Sequence, residues 1–157
     1  MLLATYLNDH LAGATAGREL ARRAATNNRG SELGRLLEEL ALEIDEDRDS
    51  LIGLMRASGI DIDRVKVLSG WTAEKLGRLK PNGKLLGYSP LSRLLELEAL
   101  TLGVRGKLAL WQALKEIEAD EPTLASIDLA NLLARAERQL AALEPHRLAI
   151  VEDALAR

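Results

Sequence analysis

Apolar residues recur at three- and four-residue intervals along most of the chain, the spacing that gathers them on one face of an α-helix. The first such stripe is Leu3, Leu7, His10 or Leu11, Ala14, Ala21 and Ala24, and it predicts a helix over about 2–27, stopped by Asn27, Asn28, Arg29 and Gly30. The second is Leu33, Leu37, Leu40, Ile44, Leu51 and Met55. It predicts a helix over about 31–58, with Ser31 as N-cap and Ser58-Gly59 as terminator. Ser89-Pro90, a capping residue followed by proline at the first helical position, opens a third helix that runs to about residue 118. Asp120, Glu121 and Pro122 open a fourth over about 122–156, with a bend where Pro145 deprives the Ala141 carbonyl of its donor. No stretch sustains the period-two alternation of a strand, so the expected class is all-α.

The connections organise these helices. Only a few residues join the first helix to the second and the third to the fourth, so each pair is expected to form an antiparallel hairpin. The segment 60–89 is too long for a turn. A helix of about 27 residues is about 40 Å long, and a partly helical crossover can return the chain over that distance, leaving the third helix parallel to the second. Short helical pieces are expected over 63–79, interrupted near Gly70, and a turn at Pro81-Asn82-Gly83. The sequence therefore predicts one domain, residues 1–157: a four-helix bundle of two antiparallel helical hairpins joined by a long, partly helical crossover.

In its helix lengths, its connection lengths and the small residues at 12–17, nearly the whole chain resembles the ferritin-like superfamily. That resemblance implies a bundle core able to hold a metal pair, with a Glu from each of two helices and a Glu-x-x-His pair from each of the other two. It also implies that such bundles can lose the metal and keep the fold. The chain departs from the pattern. It has no Glu-x-x-His: Leu7 precedes His10 by three residues, and Leu143 precedes His146. Reading Asp45-x-x-Arg48 as a degenerate form places a fixed positive charge where a neutral ligand is needed. Counting outward from turns centred near Arg29 and Asp120 puts His10 level with Asp47 and Arg48, and His146 level with 93–96. The two histidines are then about 20 Å apart and cannot share one metal pair. No cofactor and no metal ligands are assigned. An all-carboxylate site for a hard cation at Glu43, Glu46 or Asp47 is weighed against a plain acidic, solvated helix face.

Composition narrows the chemistry further. The 157 residues are 47% hydrophobic and 29% charged, enough apolar material for a core, and roughly one residue in five is leucine. The absence of cysteine excludes disulfides, thiolate metal sites and thiol nucleophiles. With 3% aromatics, no phenylalanine and a net charge of −3, neither a base-stacking platform nor a nucleic-acid partner is expected. Gly83-Lys84-Leu85 lacks the hydroxyl residue and the preceding strand of a P-loop, and no G-x-S-x-G elbow occurs. No apolar run approaches the roughly 20 residues that span a bilayer, and the start lacks the basic region of a signal peptide. The expectation is a cytoplasmic protein with no membrane contact.

Three sets of residues stand out. His10, Asp47 and Arg48 are read as a polar core network that fixes helix register, against a remodelled site at the bundle centre. Glu144, His146 and Arg147 are read as surface partners of Arg93 and Glu96. The crossover is the third: residues 60–93 hold seven basic and three acidic side chains, an excess of +4 against −7 elsewhere. Lys75, Arg78, Lys80 and Lys84 are its candidate anion-binding set, for an anionic small molecule or an acidic protein surface. Two plainer readings are that the segment ties to acidic faces of the first two helices, or that its charges solvate a loop. The third helix is apolar on more than one side, for instance at Leu100, Leu102, Val104 and Leu108, and a homodimer or the crossover is expected to cover the surplus.

Three functional readings follow. The first, and the one chosen, is a non-enzymatic structural, interaction or oligomeric bundle. The second is a metal-binding oxidase or iron-handling protein with unconventional carboxylate ligands. The third is a module that binds an anionic ligand through the crossover.

Overall fold

The computed structural model describes residues 2–63 and 88–156. Among them every regular element is helical: α1 (Leu2–Asn27), α2 (Glu32–Ala57), α3 (Pro90–Glu116), a 3-10 turn (Pro122–Ser126), α4 (Leu129–Ala149) and a short α5 (Val151–Leu155). Residues 64–87 lie outside the described part, and with them the expected short helices, the Pro81-Asn82-Gly83 turn and most of the crossover.

Local chemistry sets the helix ends. Asn28 accepts from the Ser31 hydroxyl at 2.7 Å, and the same hydroxyl accepts from the Gly34 N–H at 3.0 Å, closing the start of α2. Gly30 takes the left-handed φ of 83° that this tight reversal requires. Gly34 is needed for space instead, since a Cβ there would overlap the Asn28 carbonyl oxygen. At the far end of α2, Gly59 has φ 65°, its N–H bonds the Arg56 carbonyl at 3.1 Å, and the Ile60 N–H bonds that of Met55 at 2.8 Å. These two bonds form a Schellman termination. Ser89 caps α3 by accepting from the Ser92 N–H at 3.1 Å, with Pro90 at the first helical position.

The fourth helix differs from expectation. The stretch from 122 to 156 is divided into a 3-10 turn, α4 and α5 rather than forming one helix. Ile127 is extended (φ −126°, ψ 150°), and the Asp128 carboxylate accepts from the Asn131 N–H at 3.0 Å. Asp favours such capping over helix interiors because its short side chain competes for the backbone. The cap therefore starts α4 at Leu129. The helix runs through Pro145 to Ala149 and breaks at Ile150 before α5.

The four long helices form a bundle around one continuous core. α1 packs chiefly on α2 and α3 chiefly on α4, while α1 also packs on α3 and α5 on α3. Leucines from all four, including Leu7, Leu37, Leu97 and Leu143, are sealed from solvent with Met55 and Trp111. Polar ties close the ends. The buried Asn8 amide donates to Asp61 O at 3.0 Å and accepts from Asp63 N–H at 2.8 Å. At the opposite end Tyr88 donates to Glu96 at 2.8 Å and accepts from Asn28 at 2.9 Å, while Arg23 pairs with Glu96 at 3.2 Å. Burial, with the Glu96 carboxylate beside it, pushes the Tyr88 phenol up to about 12. No helix among the described residues is long and apolar enough to cross a membrane.

A glycine-walled cavity in the bundle

A charged network and a cavity occupy the middle of the bundle. Asp47 lies at a core position of α2, between Ile44 and Leu51, and is 2% exposed. Its carboxylate accepts from the Lys107 ammonium of α3 and from Arg135 Nη1 of α4 at 3.2 Å. Lys107 also donates to Gln139 Oε1, and the Gln139 amide donates to Glu43 at 2.7 Å. Arg135 reaches Glu46 at 2.7 Å as well. The result is one charged network joining α2, α3 and α4. Burial holds the Asp47 carboxyl above the usual carboxylate range and the Lys107 ammonium below the usual lysine range, each against the pull of the other.

The three residues singled out from the sequence separate here. Asp47 turns to α3 and α4. Arg48, the next residue and so about 100° further round the helix, turns to α1 and donates to Thr15 at 3.3 Å. His10 stands edge-on to Tyr6, with ring centroids 4.6 Å apart. Burial lowers the His10 pKa, opposed in part by Asp9. The Asp47 carboxylate is thus held by Lys107 and Arg135 and not by His10. Arg147 pairs with Glu144 at 2.7 Å and approaches Glu98 at 3.8 Å. The Arg93 guanidinium lies 5.4 Å from the centre of the Tyr88 ring. Lys75, Arg78, Lys80 and Lys84 fall outside the described residues.

What brings His10, Asp47 and Arg48 together is a cavity of about 600 Å³ walled by α1, α2 and α3, on whose lining all three appear. Its size lies within the roughly 300–1,000 Å³ typical of small-molecule sites, and its lining is mainly apolar. Gly13 and Gly17 of α1 and Gly103 and Gly106 of α3 form much of the wall. Small residues on facing helices ordinarily let backbones approach. A Cβ built on any of these four meets no atom within 4 Å, so the helices do not close on one another along this wall, and Gly103 is itself open to solvent. Trp111 also lines the cavity. It is 1% exposed, and its indole N–H has no hydrogen-bond partner among the described residues.

The donor set does not fit the metal pair that the family resemblance implies. Asp47, Glu43 and Glu46 are engaged by an ammonium, a guanidinium and an amide donor, and two fixed cations among the ligands oppose a third. Among the described residues no three His, Asp or Glu side chains converge as metal ligands.

Fold and cavity define a class: a helical bundle with a mainly apolar cavity, open to solvent near Leu102 and Gly103, beside a buried ion-pair network. Protein-family models, curated proteins and solved structures give no match to the chain.

Proposed function

We propose that this protein is a non-enzymatic helical bundle of ferritin-like topology whose central chamber holds a small apolar molecule. One observation carries the binding role: the chamber is walled by four glycines at which a side chain would meet nothing. Filling such space with leucine or alanine is the ordinary way to gain stability, because buried apolar area stabilises and voids cost. Glycine at all four places keeps room for an occupant.

The polar pairings support the topology. Arg18 with Asp45, Thr15 with Arg48 and Asn8 with Asp61 descend along α1 as they ascend along α2 and just past its end. Asn28 with Tyr88, just before α2 and α3, and Asp47 with Lys107, within them, ascend together. Glu46 and Glu43 meet Arg135 and Gln139 in reverse order along α4. Two antiparallel hairpins with a crossover from the end of α2 to the start of α3 satisfy all of these. A binding role is favoured over catalysis because the cavity's ion pair is spent on itself, and the histidine on its wall faces a tyrosine ring instead of a nucleophile.

Toluene titrated into labelled protein tests the binding role by amide NMR. Saturable shifts centred on Gly13, Gly17, Gly103 and Gly106, abolished by Gly103→Leu with the fold retained, are expected. Shifts that are absent, or unchanged by Gly103→Leu, would overturn it. A second reading, that another copy of the chain covers the chamber mouth, is favoured by Leu102, which lines the cavity yet is 69% exposed.

A further inference from the structure

The chamber is not uniform along its length. On α1 its polar lining residues, Tyr6, Asp9 and His10, come first, and from Gly13 to Leu20 only small or apolar residues follow. On α3 the order is reversed: Ala99 to Gly106 are small or apolar, and Lys107 and Trp111 come last. With α1 and α3 antiparallel, as the pairings above support, both polar ends fall together. Arg23 against Glu96 fixes the opposite level, and Trp111 then comes within about a turn of His10. One end of the chamber is therefore polar, Arg48 bonded to Thr15 and the Asp47–Lys107 pair line its middle, and the other end is walled by Gly17, Leu20, Ile44, Ala99 and Gly103.

The polar end asks for an acceptor. An indole N–H can only donate, and a buried one is nearly always paired. That of Trp111 has no partner among the described residues. His10, on the same lining, adds a second ring nitrogen able to donate, and the Arg48 guanidinium lies on that lining too. The shape asks for a chain. From His10 to Leu20 along α1 is about 15 Å, so 600 Å³ spread over that length has a cross-section on the order of 40 Å², enough to admit an extended hydrocarbon chain.

We infer that the chamber takes a single-chain carboxylate amphiphile of about a dozen carbons, its head accepting from Trp111 and His10 and its tail lying along the glycines. This rests on the proposed binding role and assigns the ligand class and its direction. Tyr6, Asp9, Arg48, Lys107 and Asp47 are the other titratable or charged groups on the lining. Lys107 and Asp47 neutralise one another, and Asp9 is on the exposed side of α1.

Calorimetric titration with dodecanoate, and with dodecyltrimethylammonium as a chain of equal length and opposite head, tests the assignment. Expected is one dodecanoate per chain, bound at least tenfold more tightly than the ammonium. Trp111→Phe should weaken dodecanoate at least fivefold, Gly17→Leu should abolish it, and the His10 ring resonances should shift on binding. Circular dichroism shows that each variant is folded. If Trp111→Phe does not fold, the His10 resonances and the head-group preference carry the test alone. Equal affinity for the two heads, or binding untouched by Gly17→Leu, would overturn the inference. Toluene shifts without dodecanoate binding would also overturn it while leaving the chamber's binding role standing; absence of both would remove the two together.

Discussion

The Asn28 carbonyl oxygen governs what position 34 tolerates. It accepts from both the N–H and the hydroxyl of Ser31, so it is locked in place, and a Cβ on Gly34 would overlap it. Gly34→Ala is expected to destabilise the protein by about 1–3 kcal/mol in denaturant unfolding, the usual cost of overpacking. Gly53, also in α2, is exposed with nothing within 4 Å of an added Cβ, and Gly53→Ala should stabilise by about 0.5–1 kcal/mol. Opposite signs from one substitution type separate steric need from propensity. His10 gives the second prediction at this scale. Burial holds its folded pKa below the ordinary value of about 6.5 that it has when unfolded, so protons prefer the unfolded chain. Its contribution to stability is intact above that value. It is lost as pH falls below it, and stops changing once pH is under the folded pKa. Thermal melts near pH 7.5 and near pH 5 should show a larger loss for the wild type than for His10→Phe.

Helices were legible where their signals are local, and lateral pairing was not. Ser31, Ser58-Gly59 and Ser89-Pro90 act through bonds within a few residues, and each marks a helix end in the structure. Asp128 is also a local capping signal, but Pro122 offered an earlier start, and the 3-10 turn took it. The partners of Asp47 could not be counted from a hairpin turn because they come from α3 and α4. A signal was nevertheless present. Lys107 interrupts Leu100, Val104, Trp111 and Leu114, and Gln139 interrupts Leu132, Ala136 and Leu143, as Asp47 interrupts Ile44 and Leu51. Three polar residues at core spacing on three helices must find one another or be left unpaired. Their network clips three elements together. Asp47→Ala should cost about 3–5 kcal/mol, because it leaves Lys107 buried without its counter-charge. Asp47→Leu combined with Lys107→Met should recover most of that loss, and a double-mutant cycle by chemical denaturation measures the coupling.

At the scale of the molecule, the all-helical class and the four long helices followed from periodicity, since a three-four stripe has no other regular solution. The chamber did not. Gly13 and Gly17 read only as part of the small-residue stretch at 12–17, and only the folded chain reveals that they share a cavity lining with Gly103 and Gly106. Leu102 at the mouth and Leu148 on α4 remain exposed. If a second copy covers Leu102, light scattering will find a dimer that Leu102→Glu converts to monomer with its helicity unchanged; a wild type that stays monomeric over a wide concentration range removes that proposal. The chamber has one more consequence, and it is volumetric. Where apolar walls keep water out of such space, the folded state shrinks when it unfolds and water takes up that volume. Hydrostatic pressure therefore acts on this bundle as a denaturant, and whatever fills the chamber acts as a prop against it.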